Sequence, residues 1–303
     1  MKQHSLKDWS LLLALVAMWG SAFLFNTIAL QSFPPAQLVT ARLVIGAIVL
    51  IVAALWYKVN WKVLDLRLVL WFIVMAIVGN ALPFYLIAWG QQTISSSLAG
   101  ILMAVMPLAT LLMAHFLLPE EKLTKRRAIG FSLGFIGIIV LMGPSAMLEI
   151  GSSGKTLMAQ FAVLGGALCY ALGTIIARLR PESSDLLTST MVLIFASLLT
   201  LPFSFINSGA TENSFKFTDI TPAAAGSALF LGLIATGLAT VLYFKLLRSA
   251  GATFLSMINY LIPVWALLAG VLLLHESVSS QALIALSIIL LGIAVSQVRR
   301  RFW

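Results

Sequence analysis

Charge is scarce in this chain. Of its 303 residues only 10% are Asp, Glu, Lys or Arg, against roughly 25% in an ordinary soluble domain. With 61% hydrophobic residues and a mean hydropathy of +1.04, a water-soluble globule is excluded and a polytopic membrane protein is left. Cysteine is nearly absent. The lone Cys169 lies inside an apolar segment, which excludes a disulfide framework and a Cys-type metal site. The three histidines, His4, His115 and His275, stand apart, with no H-E-x-x-H and no paired aspartates inside a span. Metal-dependent or intramembrane hydrolysis therefore lacks its residues, and neither metal, cofactor nor enzymatic activity is expected. Acid is missing where it would matter most, because all ten acidic residues fall in loops or at helix ends. A proton-driven pump commonly carries an intramembrane carboxylate tuned by burial. The expectation is movement without a carboxylate relay, or coupling through another group. His115, near the cytoplasmic end of the fourth span, is the remaining titratable candidate and reads as an interfacial side chain.

What is present is a series of apolar runs at about 10–30, 36–56, 69–90, 96–118, 127–143, 157–178, 186–206, 223–247, 253–274 and 280–298. Lipid offers no partner for unpaired backbone groups, so each is expected to be a helix. Met1 to Lys7 followed by an apolar run resembles a signal peptide, but the run is long enough to span and lacks an A-x-A site, so it reads as a retained first helix. The formal charge of +9 does not point to nucleic acid. Counted on alternate sides of ten spans, sixteen of the nineteen basic residues fall on one side; only Arg42, Lys155 and Lys216 fall on the other. The positive-inside rule then places both termini in the cytoplasm.

One landmark occurs twice. Pro107 is followed thirteen residues later by Glu120, and Pro263 thirteen residues later by Glu276, each pair enclosing an apolar run. Beyond each glutamate a hydroxyl residue (Thr124, Ser279) opens a segment with a glycine thirteen further on (Gly137, Gly292). Five spans per half is an odd number, so the second copy enters from the opposite side. The fold expected is all-α and polytopic: ten transmembrane helices as two inverted-topology five-helix repeats, 8–143 and 155–298, with a basic cytoplasmic tail at 299–303. Many secondary transporters are assembled this way around a site at the repeat interface.

Trp19-Gly20-Ser21, the Pro34-Pro35 turn, Arg42 early in the second span, then Tyr85, Pro107 and Glu120 resemble the drug/metabolite transporter superfamily, and its EamA branch in particular. The resemblance covers nearly the whole chain. It implies export of amino acids or related metabolites across a bacterial inner membrane, and a central cavity walled by helices 1–4 and 6–9 with helices 5 and 10 peripheral. The second half departs from the first, with Tyr170 at the Trp19 position and Thr188 at the Arg42 position. The cavity should be chemically lopsided.

Arg42 lies about two turns inside the outer end of its helix, taking roughly 1.5 Å per residue. Facing lipid there would cost at least a few kcal/mol. It should either attract a substrate carboxylate or tie its helix to backbone carbonyls of a neighbour. The polar and aromatic residues nearest mid-membrane are Trp19, Asn80, Tyr85, Trp89, Tyr170, Thr174, Thr236, Tyr243, Asn259 and Tyr260; each is a candidate substrate contact or an interhelical hydrogen-bonding group. Asn26 sits nearer the outer end and is the weaker candidate. Glu120 and Glu276, just ahead of Thr124 and Ser279, read as caps accepting hydrogen bonds from the helix that follows each. Pro107 and Pro263, expected mid-helix, are candidate gating bends. Gly130-x-x-x-Gly134 allows close helix approach, within the chain or in a dimer. The polar loop at 207–222 is assigned no chemistry.

The reading from sequence is thus a small-metabolite exporter working by alternating access, with membrane lipids around it and a monomer or dimer as its unit. The alternatives are a drug or quaternary-cation efflux protein, which lacks an anionic counter-charge here, and a lipid or polyisoprenoid flippase.

Overall fold

A computed structural model describes residues 5–61, 65–118, 124–149, 154–179, 181–206, 217–255 and 257–297. Every regular element among them is helical. The chain order is α1 (Leu6–Ala29), α2 (Pro35–Trp56), α3 (Leu66–Gly90), α4 (Ser96–Leu117), α5 (Lys125–Glu149), α6 (Lys155–Arg178), α7 (Asp185–Ile206), α8 (Pro222–Gly251), α9 (Ile258–Leu274) and α10 (Ser280–Gln297). Seven of these, α1–α4 and α6–α8, are long and apolar enough to cross a membrane; α9 and α10 are apolar but shorter. Glu120, the tail 299–303 and most of the 207–222 loop lie outside the described residues.

Helix boundaries follow local chemistry. Ser5 and Asp8 form a capping box on α1, Asp65 accepts from the Leu68 N–H at the start of α3, and Ser95 does the same for Leu98 at α4. Each satisfies a backbone donor that the helix cannot. Pro35 and Pro222 open α2 and α8, where a missing N–H loses nothing. The fifth apolar run, expected to be short, extends to Glu149 in α5.

Which helices touch is a pattern with internal order. Helix α1 packs on α8, α9 and α4; α6 packs on α3, α4 and α5; α2 packs on α7 and α8; α3 packs on α7; α4 packs on α9; α5 lies along α10. Exchanging α1–α5 with α6–α10 turns α1·α8 into α6·α3, α1·α9 into α6·α4 and α2·α8 into α7·α3, all of which are present. The helices that pair with their own counterparts run antiparallel. Gln37 reaches the Ser204 carbonyl and Thr40 the Thr200 carbonyl, while Thr190, at the other end of α7, reaches Leu50. Along α5 and α10, Gln281 donates to the Val140 carbonyl at 2.7 Å, and Gly130 lies against Gly292 at the far end. A Cβ on Gly130 would meet the Gly292 carbonyl oxygen at 2.5 Å. The small-residue face of α5 is therefore used inside the chain, where close backbone approach supplies packing that lipid exclusion cannot.

Three departures from regular α-helix shape the interior. Ile77–Ala81 in α3 and Phe230–Leu238 in α8 are wide π-helical turns, and α3 and α8 occupy equivalent places in the two halves. Such turns rotate side chains off the regular register and recur at functional sites. The third is a break in α4: the Ala104 and Val105 N–H groups bond only three residues back, to Ile101 and Leu102. Pro107 stands at the start of the segment that resumes there, Met106–Leu117, and not in mid-helix as expected. Its counterpart α9 is continuous, with Pro263 in its interior.

Candidate functional site

The helices of both halves enclose a chamber of about 310 Å³, within the range of small-molecule sites. Its wall is made by Trp19, Phe23 and Asn26 of α1, Arg42 of α2, Asn80 and Phe84 of α3, Met103, Met106 and Pro107 of α4, Tyr170 of α6, Ala235, Thr236 and Thr240 of α8, and Ile258, Asn259 and Pro263 of α9, with Gln91 just past α3. A second space of about 320 Å³ shares Trp19, Met106, Tyr170 and Thr240 with it. That space continues along Met75 and Gly79, Thr174 and Ala177, and Tyr243 and Phe244.

Among the described residues, Arg42 is the one charged residue on the chamber wall. Its Nε donates to Thr236 Oγ1 at 2.8 Å, and its guanidinium carbon lies 3.8 Å from the centroid of the Phe84 ring. The stacked ring holds the guanidinium plane, and the Nε bond fixes its rotation. The partner is a side-chain hydroxyl on the wide turn of α8, and not a backbone carbonyl as in the structural one of the two alternatives for this residue. No described residue accepts a hydrogen bond from the two terminal Nη nitrogens, so the guanidinium keeps donors for a further partner. Asn259 and the Tyr170 hydroxyl also line the chamber without a hydrogen-bond partner among the described residues.

The wide turns contribute directly. Trp19 Nε1 donates at 3.0 Å to the Ala235 carbonyl inside the α8 turn, which pins the indole across the chamber. Asn80 sits in the α3 turn, its Nδ2 3.5 Å from the Met75 carbonyl. Thr174 bonds its own helix at Tyr170 O and, with Tyr243, lines the second space only.

Other expected contacts lie off both spaces. Tyr85 is 39% exposed, because one residue along a helix turns the side chain by about 100° and it is Phe84 that points inward. Trp89 lines neither space. Tyr260 donates to the Ile293 carbonyl of α10, leaving its neighbour Asn259 to face the chamber. Gln91 was not foreseen. It is 4% exposed, accepts from Asn26 Nδ2 at 2.8 Å, and donates to the Phe23 carbonyl at 2.9 Å and to Thr27 Oγ1 at 3.0 Å.

Glu276 is a cap, but of a different helix from the one expected. Its carboxylate accepts from the Ser96 N–H at 2.8 Å, the Ser97 N–H at 2.9 Å and the Ser97 hydroxyl at 2.5 Å. It thus closes the N-terminus of α4 and not that of α10, which Ser279 caps through Ala282 N. The sequence neighbour was the wrong partner because the chain turns α9 back beside α4.

A bundle of long apolar helices around a chamber lined from both halves defines a membrane transporter. The chain belongs to the EamA-like transporter family, whose sequence pattern matches residues 8–143 and again 157–297. Relatives include the uncharacterized transporter YoaV of Bacillus subtilis, 25% identical over 93% of this chain and 94% of its own length. A second Bacillus subtilis protein, the uncharacterized transporter YvbV, is 28% identical over 97% of this chain and 93% of its own. The S-adenosylmethionine/S-adenosylhomocysteine transporter of Chlamydia trachomatis is 26% identical over 91% of this chain and 84% of its own. A crystal structure of a protein 19% identical superposes with a TM-score of 0.67 over 96% of both chains, so the fold is shared.

Proposed function

We propose that this protein is a secondary transporter of the bacterial cytoplasmic membrane that exports amino acids or related small metabolites by alternating access. In this reading α1–α5 and α6–α10 are inverted five-helix repeats, all ten helices cross the membrane, and both termini are cytoplasmic. The symmetric helix pairing, the antiparallel run of α2 against α7 and of α5 against α10, and the basic residues gathered on one side support it. The observation that carries the substrate assignment is Arg42, held by Thr236 and Phe84 with its terminal nitrogens unclaimed on the chamber wall. A guanidinium so placed receives a carboxylate. Asn80, Tyr170 and Asn259 supply neutral polar contacts around it, and Trp19 and Phe84 receive the apolar part.

An arginine on the wall argues against quaternary-cation efflux. Among the described residues no acidic side chain lines the chamber, which favours transport without a carboxylate proton relay. Purified protein in liposomes, loaded with unlabelled amino acids and assayed for counterflow of labelled ones, tests the assignment. Exchange unaffected by a pH gradient is expected. Strict dependence on an inward proton gradient would overturn the uncoupled mechanism, and movement of a lipid reporter without amino-acid exchange would favour a flippase.

A further inference from the structure

The charge of the chamber, as distinct from its shape, carries a statement about which metabolites it prefers. Among the described residues that line it, Arg42 contributes one positive charge and none contributes a negative one. The other polar side chains there, those of Asn26, Asn80, Gln91, Tyr170, Thr236, Thr240 and Asn259, are neutral. A charge held away from water is stabilised most by a partner that cancels it. A free amino acid brings a carboxylate to Arg42 but also an ammonium, so the occupied chamber keeps its uncompensated charge. A fixed cation doubles that charge. An anion with one carboxylate and no ammonium cancels it.

Geometry sharpens the point. Nε is already engaged by Thr236 and one face of the guanidinium is covered by Phe84, so the donors left are the two Nη nitrogens at its tip. Two parallel N–H groups match the two oxygens of one carboxylate. Aromatic faces could in principle hold an ammonium. Yet one of the chamber's rings, Phe84, already carries Arg42, and a second cation beside it would be repelled.

We propose that the chamber selects monoanionic carboxylates with an apolar or aromatic body, such as amino acids whose amino group is acylated or replaced, over zwitterionic amino acids, and rejects cations of the same shape. This rests on the transporter reading above and narrows its substrate class.

The test uses one body with three charges: N-acetylphenylalanine, phenylalanine and trimethylphenethylammonium, each trans-loaded at neutral pH into liposomes holding the full-length protein, with radiolabelled N-acetylphenylalanine and phenylalanine as reporters. Exchange of the acetylated anion is expected to exceed that of phenylalanine by about tenfold, equivalent to about 1.4 kcal/mol, with the cation at background. Arg42→Gln should flatten the order of the three. Arg42→Lys, which keeps the charge but loses the forked contact, should keep the order at reduced rate. Size-exclusion profiles and melting temperatures of the variants confirm that they are folded. Phenylalanine exchanging as fast as its acetylated form, or an unchanged order in Arg42→Gln, overturns the charge rule while leaving the carrier intact. No exchange of any compound by well-folded wild-type protein, across this set and the free amino acids, overturns the carrier reading itself.

Discussion

The two ends of the bundle are built differently. At one end, where α3 passes to α4 and α9 to α10, Glu276 gathers three donors from Ser96 and Ser97, and Gln91 joins Asn26, Phe23 and Thr27. These bonds stitch α1 to the turn after α3, and the turn after α9 to α4. At the other end, α1 begins and α8 finishes. There Ser249 donates to Asp8 at 2.7 Å and Trp9 meets Phe254 edge-on at 4.9 Å, but the space beside them is the one lined by Met75, Ala177 and Phe244. Along α3, α6 and α8 alike, that space lies nearer the Asp8 end than the chamber does. The chamber thus has a polar network toward one end and shares its walls with a second space toward the other. In the orientation proposed above the second space lies on the cytoplasmic side of the chamber.

The strongest way to break this comparison is to lock the end that carries the polar network. With Cys169→Ala as background, cysteines at Ser97 and Glu276 joined by a short bifunctional thiol reagent should bring liposome transport to background, if the proposed alternating access opens this end. Cleaving a reducible linker should restore it. Full transport by the cross-linked protein would mean that this end never opens and that the exit lies elsewhere.

A smaller effect is expected from weakening the clamp without locking it. Partial burial pushes the Glu276 pKa up, but the hydrogen bonds from Ser97 and Ser96 outweigh it and hold the group below the ordinary 4.5. A carboxylate whose folded pKa is depressed contributes stability that is fully present above its unfolded pKa and is lost as pH falls through the folded one. The clamp should therefore be indifferent to pH between 7 and 5.5 and fail only below the ordinary carboxylate range. Glu276→Gln should cost about 1–2 kcal/mol, the usual worth of a helix cap. It should also remove the acid-dependent part of the melting-temperature profile. A variant melting like wild type at pH 7 would show the clamp to be idle.

The same contrast shows what could be read in advance. Spans, their order and the doubled proline-to-glutamate spacing rest on composition and counting, and the helices lie where those put them, to within a few residues apart from the longer α5. Position along each span could also be counted, and Trp19, Arg42, Asn80, Tyr170, Thr236 and Asn259, all well inside their spans, line the chamber. Azimuth could not. A helix that is apolar on all sides carries no stripe to say which face turns inward, and the wide turns in α3 and α8 shift the register besides. Hence Phe84 faces in and Tyr85 out, and Asn259 in and Tyr260 toward α10. Gln91 escaped notice because it closes an apolar run, where a polar residue ordinarily signals only a helix end. Glu276 was recognised as a cap from its chemistry, while its partner, 180 residues away at Ser96, depends on the tertiary fold alone.

The mildest prediction concerns the two prolines. In α9 Pro263 has no N–H to donate to the Asn259 carbonyl four residues back, so that carbonyl, beside the chamber, is deprived of its intrahelical donor. Pro263→Ala supplies that donor. It should stiffen α9, raise the melting temperature slightly and slow exchange several-fold, if the helix bends there during the cycle. Pro107 stands at the first turn of a segment that follows an existing break, where an N–H has no intrahelical partner to serve. Pro107→Ala should therefore shift stability by less than about 0.5 kcal/mol, as is usual away from special features, and leave exchange near wild type. Equal effects at the two positions, measured as exchange rate against melting temperature, would mean that the broken α4 and the continuous α9 move alike and that the break is not what separates them.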